Sequence, residues 1–175
     1  MSADDWRSAS IGLGGNVGDV RNAMIAALRA IDASAHCIVT SVSSIYVTEP
    51  WGLRNQPDFL NACALVKTRL EPTAFLALLK EQEQVAGRTK TVRWGPRIVD
   101  LDILTFGGLD VQGPALTIPH ARMLQRAFVL VPLAEIAPEM RVSGKRVSDW
   151  LSDVDTTVVT RSDLTLEWQV ENLAD

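Results

Sequence analysis

Hydrophobic positions follow a helical period in one early segment and a strand-like period on either side of it. Between residues 20 and 31 the apolar side chains share one helical face, and Asp19 stands where an N-cap would. Residues 8–13 before this helix are typical of a strand, and residues 37–47 after it are rich in β-branched side chains. The pattern therefore predicts strand, helix and strand over the first 47 residues.

The same two periods recur in the middle of the chain. Residues 59–68 and 98–105 are predicted strands, and a helix between them begins at Pro72 and ends near Ala86, with Gly87 as its stop. The resulting order β-α-β-β-α-β predicts an α+β fold. We expect a ferredoxin-like split β-α-β sandwich, with a mostly antiparallel sheet and helices on one of its faces.

The remaining segments give weaker patterns. Residues 88–97, with four basic residues and no acidic one, are predicted to be a mobile loop, and residues 127–136 a helix interrupted at Pro132. Residues 156–160 and 164–170 are candidate strands at a sheet edge. We expect one domain over residues 1–175, with residues 141–175 the least defined part.

Two carboxylates mark the strand at residues 98–105. Because side chains alternate, Asp100 and Asp102 share a face with Ile98 and Leu104, and their Cα atoms lie about 6.5–7 Å apart. Carboxylates this close repel each other unless a cation joins them, and Mg²⁺ completed by substrate phosphates would do so. The alternative is an ordinary polar strand face.

Charge is distributed unevenly along the chain. The whole sequence has 17 basic and 21 acidic residues, a net charge of −4, which argues against a nucleic-acid reader. Residues 88–126 nevertheless carry six basic and three acidic side chains. Arginine binds phosphate oxygens bidentately, so this basic segment beside Asp100 and Asp102 favours phosphoryl transfer.

Other candidate residues have competing structural interpretations. His120 could donate to a phosphate near Arg122 and Arg126, or could be structural. Trp51, Phe59 and Phe128 could fill a core, and Phe59 could equally stack on a flat ligand. Trp94 in the basic loop is harder to explain as core and could cap a ligand. We find no P-loop and no complete dinucleotide fingerprint.

The remaining composition bears on location. Cys37 and Cys63 have no metal-binding spacing and are expected to be reduced and buried. The sequence has no apolar run of membrane length and a polar, acidic N-terminus. We therefore expect a cytoplasmic protein without a membrane or nucleic-acid partner.

Four blocks of sequence together resemble one family, 6-hydroxymethyl-7,8-dihydropterin pyrophosphokinase of folate biosynthesis. They are residues 14–19 (GGNVGD), 44–61 (SIYVTEPWGLRNQPDFLN), 87–102 with RWGPRIVDLD, and 118–138. The third block is highly specific. The resemblance implies transfer of pyrophosphate from ATP to the pterin hydroxymethyl group with release of AMP, an ATP-dependent diphosphotransferase reaction.

The resemblance also implies roles for individual residues. Catalytic residues would be Arg88, Arg97, Asp100 and Asp102, the two aspartates binding two Mg²⁺ ions. ATP would contact Glu83, Arg88, Lys90, Trp94, Arg97, Ile103, His120 and Arg126. The pterin would contact Thr48, Pro50, Trp51, Phe59, Asn61, Trp94 and Phe128, with Phe59 and Phe128 as the two stacking rings.

The chain departs from the family pattern at a few positions, which bear on nucleotide affinity more than on the reaction. Gly15 replaces a usual Ser, Phe59 a frequent Tyr, Lys80 an occasional Gln near ATP, and Ala121 an aromatic residue. The loop between Arg88 and Trp94 is short. We expect a monomer. The alternative from another class is a non-catalytic, ferredoxin-like ligand-binding or regulatory module.

Overall fold

The structure is a computed structural model, and it describes residues 5–50, 52–87 and 96–168. The strands of the main sheet are β1 (Arg7–Gly15), β2 (Cys37–Val42), β3 (Tyr46–Thr48), β4 (Phe59–Thr68), β5 (Asp100–Phe106) and, near the C-terminus, β10 (Thr160–Arg161). Short two-stranded pairs are β6 (Val111–Gln112) with β7 (Thr117–Ile118) and β8 (Arg141–Val142) with β9 (Lys145–Arg146). The helices are α1 (Val20–Asp32), α2 (Pro72–Val85), α3 (Ala127–Ile136) and α4 (Val147–Trp150).

Strand β1 is an interior strand of the sheet, between β4 and the edge strand β5. It pairs antiparallel with β4 on one side and β5 on the other, and β2 and β3 both pair with the far side of β4. With α1 after β1 and α2 after β4, this is the split β-α-β arrangement. The expected α+β, ferredoxin-like fold is confirmed.

The predicted strand over residues 37–47 was wrong in one respect, because it is broken in two. Between β2 and β3, the Ser43 backbone N–H donates to the Cys63 carbonyl at 2.9 Å, while the Cys63 N–H donates to the Ser43 hydroxyl at 2.9 Å. A side-chain oxygen thus replaces a backbone acceptor at this point. Because the Ser43 hydroxyl accepts this bond, the chain can bend between β2 and β3 without leaving the buried Cys63 N–H unpaired.

Local sequence signals define the first two helices as predicted. The Asp19 carboxylate accepts a hydrogen bond from the Asn22 N–H at 3.1 Å and caps α1. Pro72 is the first residue of α2, and Gly87 follows its end with φ of +88°. Both helices pack on the same face of the sheet, where Ile11, Met24 and Phe75 are buried in one core.

A second core lies on the opposite face, so the expectation that helices cover only one face was wrong. Cys63 and Leu104 project from β4 and β5 on that side and pack with Leu130 and Leu133 of α3. Apolar side chains on both faces of the sheet require a cover on both. The predicted interruption at Pro132 was also wrong, because α3 continues from Ala127 to Ile136 with Pro132 inside it.

Strand β5 contains a bulge that the alternating pattern did not predict. Ile11 pairs with Ile103 and the preceding Ser10 pairs with Thr105, which leaves Leu104 as the extra residue. Thr105 therefore faces the same side as Asp102, where it bonds the Ser10 hydroxyl at 2.6 Å, whereas strict alternation along the strand would place it on the side of Ile103. Strand β5 also begins at Asp100, two residues later than expected.

The cysteines and the helix lengths bear on two expectations, namely buried, reduced thiols and no membrane-spanning helix. Cys37 and Cys63 are both buried and free, as expected. Within the described ranges, the longest helix has 14 residues, too short to cross a bilayer that needs about 20. The cytoplasmic location itself stays a prediction.

The C-terminal segment closes over the edge of the molecule. Strand β10 pairs with β3, as expected for one edge strand, whereas Thr156–Val158 form a 3₁₀ turn and no strand forms over residues 164–168. Leu166 instead packs into the core beneath α1 and α2, and Arg21 of α1 donates to the Thr165 carbonyl at 2.6 Å. The tail therefore stabilises the first core.

Shortening Leu166 to alanine should destabilise the protein by about 2–5 kcal/mol, the usual cost of removing a buried leucine side chain. Leu166 is 4% exposed, whereas Leu164 in the same segment is 45% exposed. Leu164→Ala is the matched control and should change stability by less than about 0.5 kcal/mol. Urea unfolding followed by tryptophan fluorescence measures both, and equal effects would contradict the assigned packing of the tail.

Candidate active site

Strands β4, β1 and β5 lie side by side and place one residue predicted for the pterin and one predicted for metal on the same row of the sheet. Gly14 of β1 pairs with Asn61 of β4 on one side and with Asp100 of β5 on the other. Neighbouring strands lie about 4.8 Å apart, so Asn61 and Asp100 stand roughly 10 Å apart across the sheet. A Cβ built on Gly14 would lie 3.4 Å from Asn61 Oδ1, so glycine keeps the floor between the two residues open.

Asp100 and Asp102 lie on the face of β5 that looks toward α3, with cations around them. Arg97 donates to Asp100 at 2.6 Å, and the Lys80 ammonium lies 3.8 Å from Asp102. Asp102 is 40% exposed, but it lies at the base of a cleft. Burial, with the charge of Asp100 as a second cause, raises the pKa of Asp102, and the Lys80 charge opposes this rise.

The outer edge of β5 is held by an ion pair in place of another strand. The Leu101 N–H donates to Glu83 Oε1 at 2.7 Å, and the Leu101 carbonyl accepts from the Lys80 ammonium at 2.8 Å. Lys80 and Glu83 also bond each other at 2.8 Å, one turn apart on α2. Helix α2 therefore fixes the peptide that lies between the two aspartates.

His120 reaches the same edge through the bulge in β5. Its backbone N–H donates to the Leu104 carbonyl at 2.9 Å, and its ring Nδ1 accepts from the Arg122 N–H at 3.2 Å. An accepting Nδ1 assigns the ring proton to Nε2, which is left to donate to a ligand. Burial lowers the pKa of His120 and so favours the neutral ring, while the charge of Asp102 opposes this shift.

A cleft of about 420 Å³ joins these groups to a loop between β6 and β7. Its lining includes four residues predicted to contact ATP or metal. They are Asp102, Ile103, His120 and Arg126. Residues 113–117 and Lys80 line it too. The Ile103 side chain is buried in the first core.

Thr48 and Asn61, two of the residues predicted for the pterin, contact each other at the other end of the row. The Asn61 amide donates to the Thr48 hydroxyl at 2.9 Å, and both residues are buried. Phe59 lies two residues before Asn61 and therefore on the same strand face, half-buried. Phe128, also half-buried, belongs to the first turn of α3, with the Arg126 guanidinium 5.5 Å from its ring centroid. Pro50 is half-buried just after β3.

Some predicted residues lie outside the described part of the chain, namely Trp51, Arg88, Lys90 and Trp94. Glu83 is described and is 2% exposed, with its carboxylate directed at Leu101; its contact with ATP stays a prediction. Sequence reasoning missed Thr117 and Arg122 as cleft residues and noted Lys80 only as a departure from the family pattern. The i, i+3 spacing of Lys80 and Glu83 was the signal that could have revealed their pairing.

Removing the charge of Lys80 should raise the pKa of Asp102 further, because Lys80 stabilises the ionised carboxylate. Lys80→Met tests this while keeping the length of the side chain, and carbon-13 NMR titration of the Asp102 carboxyl measures it. Lys67→Met, on the exposed part of β4, is the control and should leave the titration unchanged. An unchanged or lowered Asp102 pKa in Lys80→Met would contradict the proposed electrostatic balance.

Comparison with known proteins supports the assignment of the chain to one family. The model of the family 7,8-dihydro-6-hydroxymethylpterin-pyrophosphokinase (HPPK) matches residues 10–138. The 2-amino-4-hydroxy-6-hydroxymethyldihydropteridine pyrophosphokinase of Methylorubrum extorquens is 39% identical over 153 residues, which are 87% of this chain and 97% of that protein. The mitochondrial folate synthesis bifunctional protein of Pisum sativum is 39% identical over 142 residues, 81% of this chain and 27% of that protein.

Solved structures bear out the fold. The Plasmodium falciparum HPPK-DHPS wild-type crystal structure superposes with a TM-score of 0.65 at 15% identity, over 85% of this chain. This chain spans 44% of the length of that larger protein, so the likeness concerns one part of it. With the family match covering all four sequence blocks that suggested it, the chain belongs to the 7,8-dihydro-6-hydroxymethylpterin-pyrophosphokinase family.

Proposed function

We propose that this enzyme transfers a pyrophosphoryl group from ATP to the hydroxymethyl group of 6-hydroxymethyl-7,8-dihydropterin, releasing AMP, as a step of folate biosynthesis. The observation that carries the proposal is the row Asn61, Gly14 and Asp100. It sets a buried amide suited to a heterocycle roughly 10 Å from an acidic pair suited to a metal–triphosphate. Family membership does not favour the non-catalytic module.

The cleft beside Asp102 is the proposed nucleotide site. Its rim carries the cations Lys80, Arg122 and Arg126 and the Nε2–H of His120, all suited to phosphate oxygens. Arg97 pairs with Asp100 at 2.6 Å and would reach the phosphates bound beside that carboxylate. Arg88, Lys90 and Trp94 are assigned to this site by the family pattern alone.

The two aspartates fit Mg²⁺ of the kind that substrate phosphates complete. No group of three or more acidic, histidine or cysteine ligands occurs among the described residues, so a site built from protein ligands alone is not available there. Asp100 and Asp102 supply two hard oxygen ligands on one strand face, and their mutual repulsion favours a shared cation. Two bound Mg²⁺ ions would neutralise the triphosphate and make the pterin hydroxyl more acidic.

The remaining work of the chain is orientation and charge stabilisation. Asn61 and Thr48 would bond the edge of the pterin, and Phe59 and Phe128 would stack on its faces. The hydroxymethyl group would then extend over Gly14 toward the β-phosphorus for in-line attack. Arg97 and Arg126 would stabilise the charge that develops as the bond toward the α-phosphate breaks. We assign no general base.

Family membership does not give the domain organisation, the oligomeric state or the location of the enzyme, and these are part of the proposal. We propose a single domain that acts as a monomer in the cytoplasm and uses only small-molecule substrates. Separate assays of size and activity would test this part of the proposal.

The reaction is tested by its products. With ATP, Mg²⁺ and 6-hydroxymethyl-7,8-dihydropterin, the enzyme should yield AMP, and ADP would identify an ordinary kinase. Asp102→Asn should lower turnover by at least about tenfold, a loss of 1.4 kcal/mol or more in transition-state stabilisation, while pterin binding changes little. Asp110→Asn, in an exposed turn of the same basic segment, is the control and should keep full activity. Retained activity in Asp102→Asn would remove Asp102 from the metal site.

A methyl group on the floor between the two half-sites should obstruct the hydroxymethyl group. Gly14→Ala should lower kcat/KM for the pterin by roughly tenfold or more, since a misplacement of 1 Å can cost up to about 10²-fold. Gly12→Ala is the matched control, because its Cβ would lie 3.5 Å from the Leu104 side chain, where the floor is already covered. Equal losses in both variants would contradict the assigned path of the pterin.

A further inference from the structure

Asn16 lies just beyond the end of β1 and connects three separate segments. It is 5% exposed, and its amide is fully engaged. Nδ2 donates to the Gln56 side-chain oxygen and to the Pro57 carbonyl, both at 3.0 Å. Oδ1 accepts from the Arg97 backbone N–H at 3.0 Å. One side chain thus bonds the loop before β4 and the segment before β5.

On the β5 side, Asn16 bonds both the backbone N–H and the backbone carbonyl of Arg97. Besides the bond to Oδ1, the Arg97 carbonyl accepts from the Asn16 N–H at 2.8 Å and from the Val17 N–H at 3.1 Å. The guanidinium of the same residue then reaches Asp100 at 2.6 Å. Asn16 therefore fixes the position of the Arg97 backbone, from which the guanidinium reaches Asp100.

On the β4 side, Asn16 holds the loop that leads to the proposed pterin residues. Gln56 shapes this loop by donating to the Leu53 carbonyl at 2.7 Å, and its own oxygen is held by Asn16. Pro57 precedes Phe59 by two residues, and Asn61 follows by two more. A shift of the loop at Gln56 and Pro57 would therefore displace the start of β4 and its stacking ring.

We propose that Asn16 is a positioning residue that couples the pterin-side loop to Arg97 on the phosphate side. The inference rests on the proposed function, because it takes the two segments as parts of one active site. Asn16 contacts neither substrate. An asparagine is suited to the role because its amide has two donors and an acceptor, which serve opposite neighbours at once. Through it, ordering of one segment by its ligand favours the bound arrangement of the other.

The test measures this coupling directly. Calorimetry gives the Kd of an α,β-methylene analogue of ATP with Mg²⁺, in the absence and presence of 6-hydroxymethyl-7,8-dihydropterin. In the wild type the two values should differ by a factor in the usual range of about 5–150. In Asn16→Ala this factor should fall to about 1, while each ligand alone binds within about threefold of wild type. Steady-state kinetics should show a loss in kcat larger than the change in either KM.

Further variants separate the bonds of Asn16 to Gln56 and Pro57, the pterin-side arm, from its bond to Arg97, the phosphate-side arm. Asn16→Asp keeps the acceptor for the Arg97 N–H but sets a carboxylate against the oxygens of Gln56 and Pro57, so it should also lose the coupling. Gln56→Ala cuts the same arm without altering β1, and it serves as the test if Asn16 variants do not fold. Asn55→Ala, exposed in the same loop, is the control and should retain the coupling factor.

The outcomes distinguish the positioning role from the proposed function. Unchanged coupling in Asn16→Ala or Gln56→Ala would overturn the role of Asn16. So would equal weakening of both ligands with the coupling factor preserved, since that pattern marks a structural effect only. A wild type that forms AMP without any coupling overturns this inference but leaves the proposed function intact. A wild type that forms no AMP overturns both.

Discussion

The antiparallel pairing of β1 with both β4 and β5 is the constraint on which the site depends. Because β1 lies between β4 and β5, its two registers together oppose Gly14 to Asn61 on one side and to Asp100 on the other. A shift of either neighbour by one residue would turn the polar side chains toward the core. The apolar residues Ile11 and Leu13, buried on the α1–α2 face, oppose such a shift. Packing on one face therefore positions the chemistry on the other.

The site concentrates charge at the edge of this sheet, where β5 has no further strand beside it among the described residues. The Lys80–Glu83 pair satisfies the outward N–H and carbonyl of Leu101, and the Leu104 carbonyl receives His120. The edge strand is thus completed by side chains and by a loop. This arrangement leaves the carboxylates of Asp100 and Asp102 on a rigid backbone, with cations near enough to offset their repulsion.

Several elements could be read from the sequence because their signals are local. The bounds of β4 agree with the prediction at both ends, and α1 and α2 begin at the predicted cap and proline. The failures have non-local causes. The bulge at Leu104 depends on the register with β1, and the break at Ser43 depends on a hydrogen bond to Cys63, 20 residues away along the chain.

Motif spacing and periodicity are properties of short segments, so they were enough to indicate the family, the order of elements and the types of residue proposed for the site. The face of Thr105, the second core under α3 and the pairing of Lys80 with Asp102 and Leu101 were decided only by the tertiary structure. The same holds for Asn16, which the sequence shows as one letter of a motif. Its role depends on residues 40 and 81 positions away, and only chain folding brings these within hydrogen-bond distance.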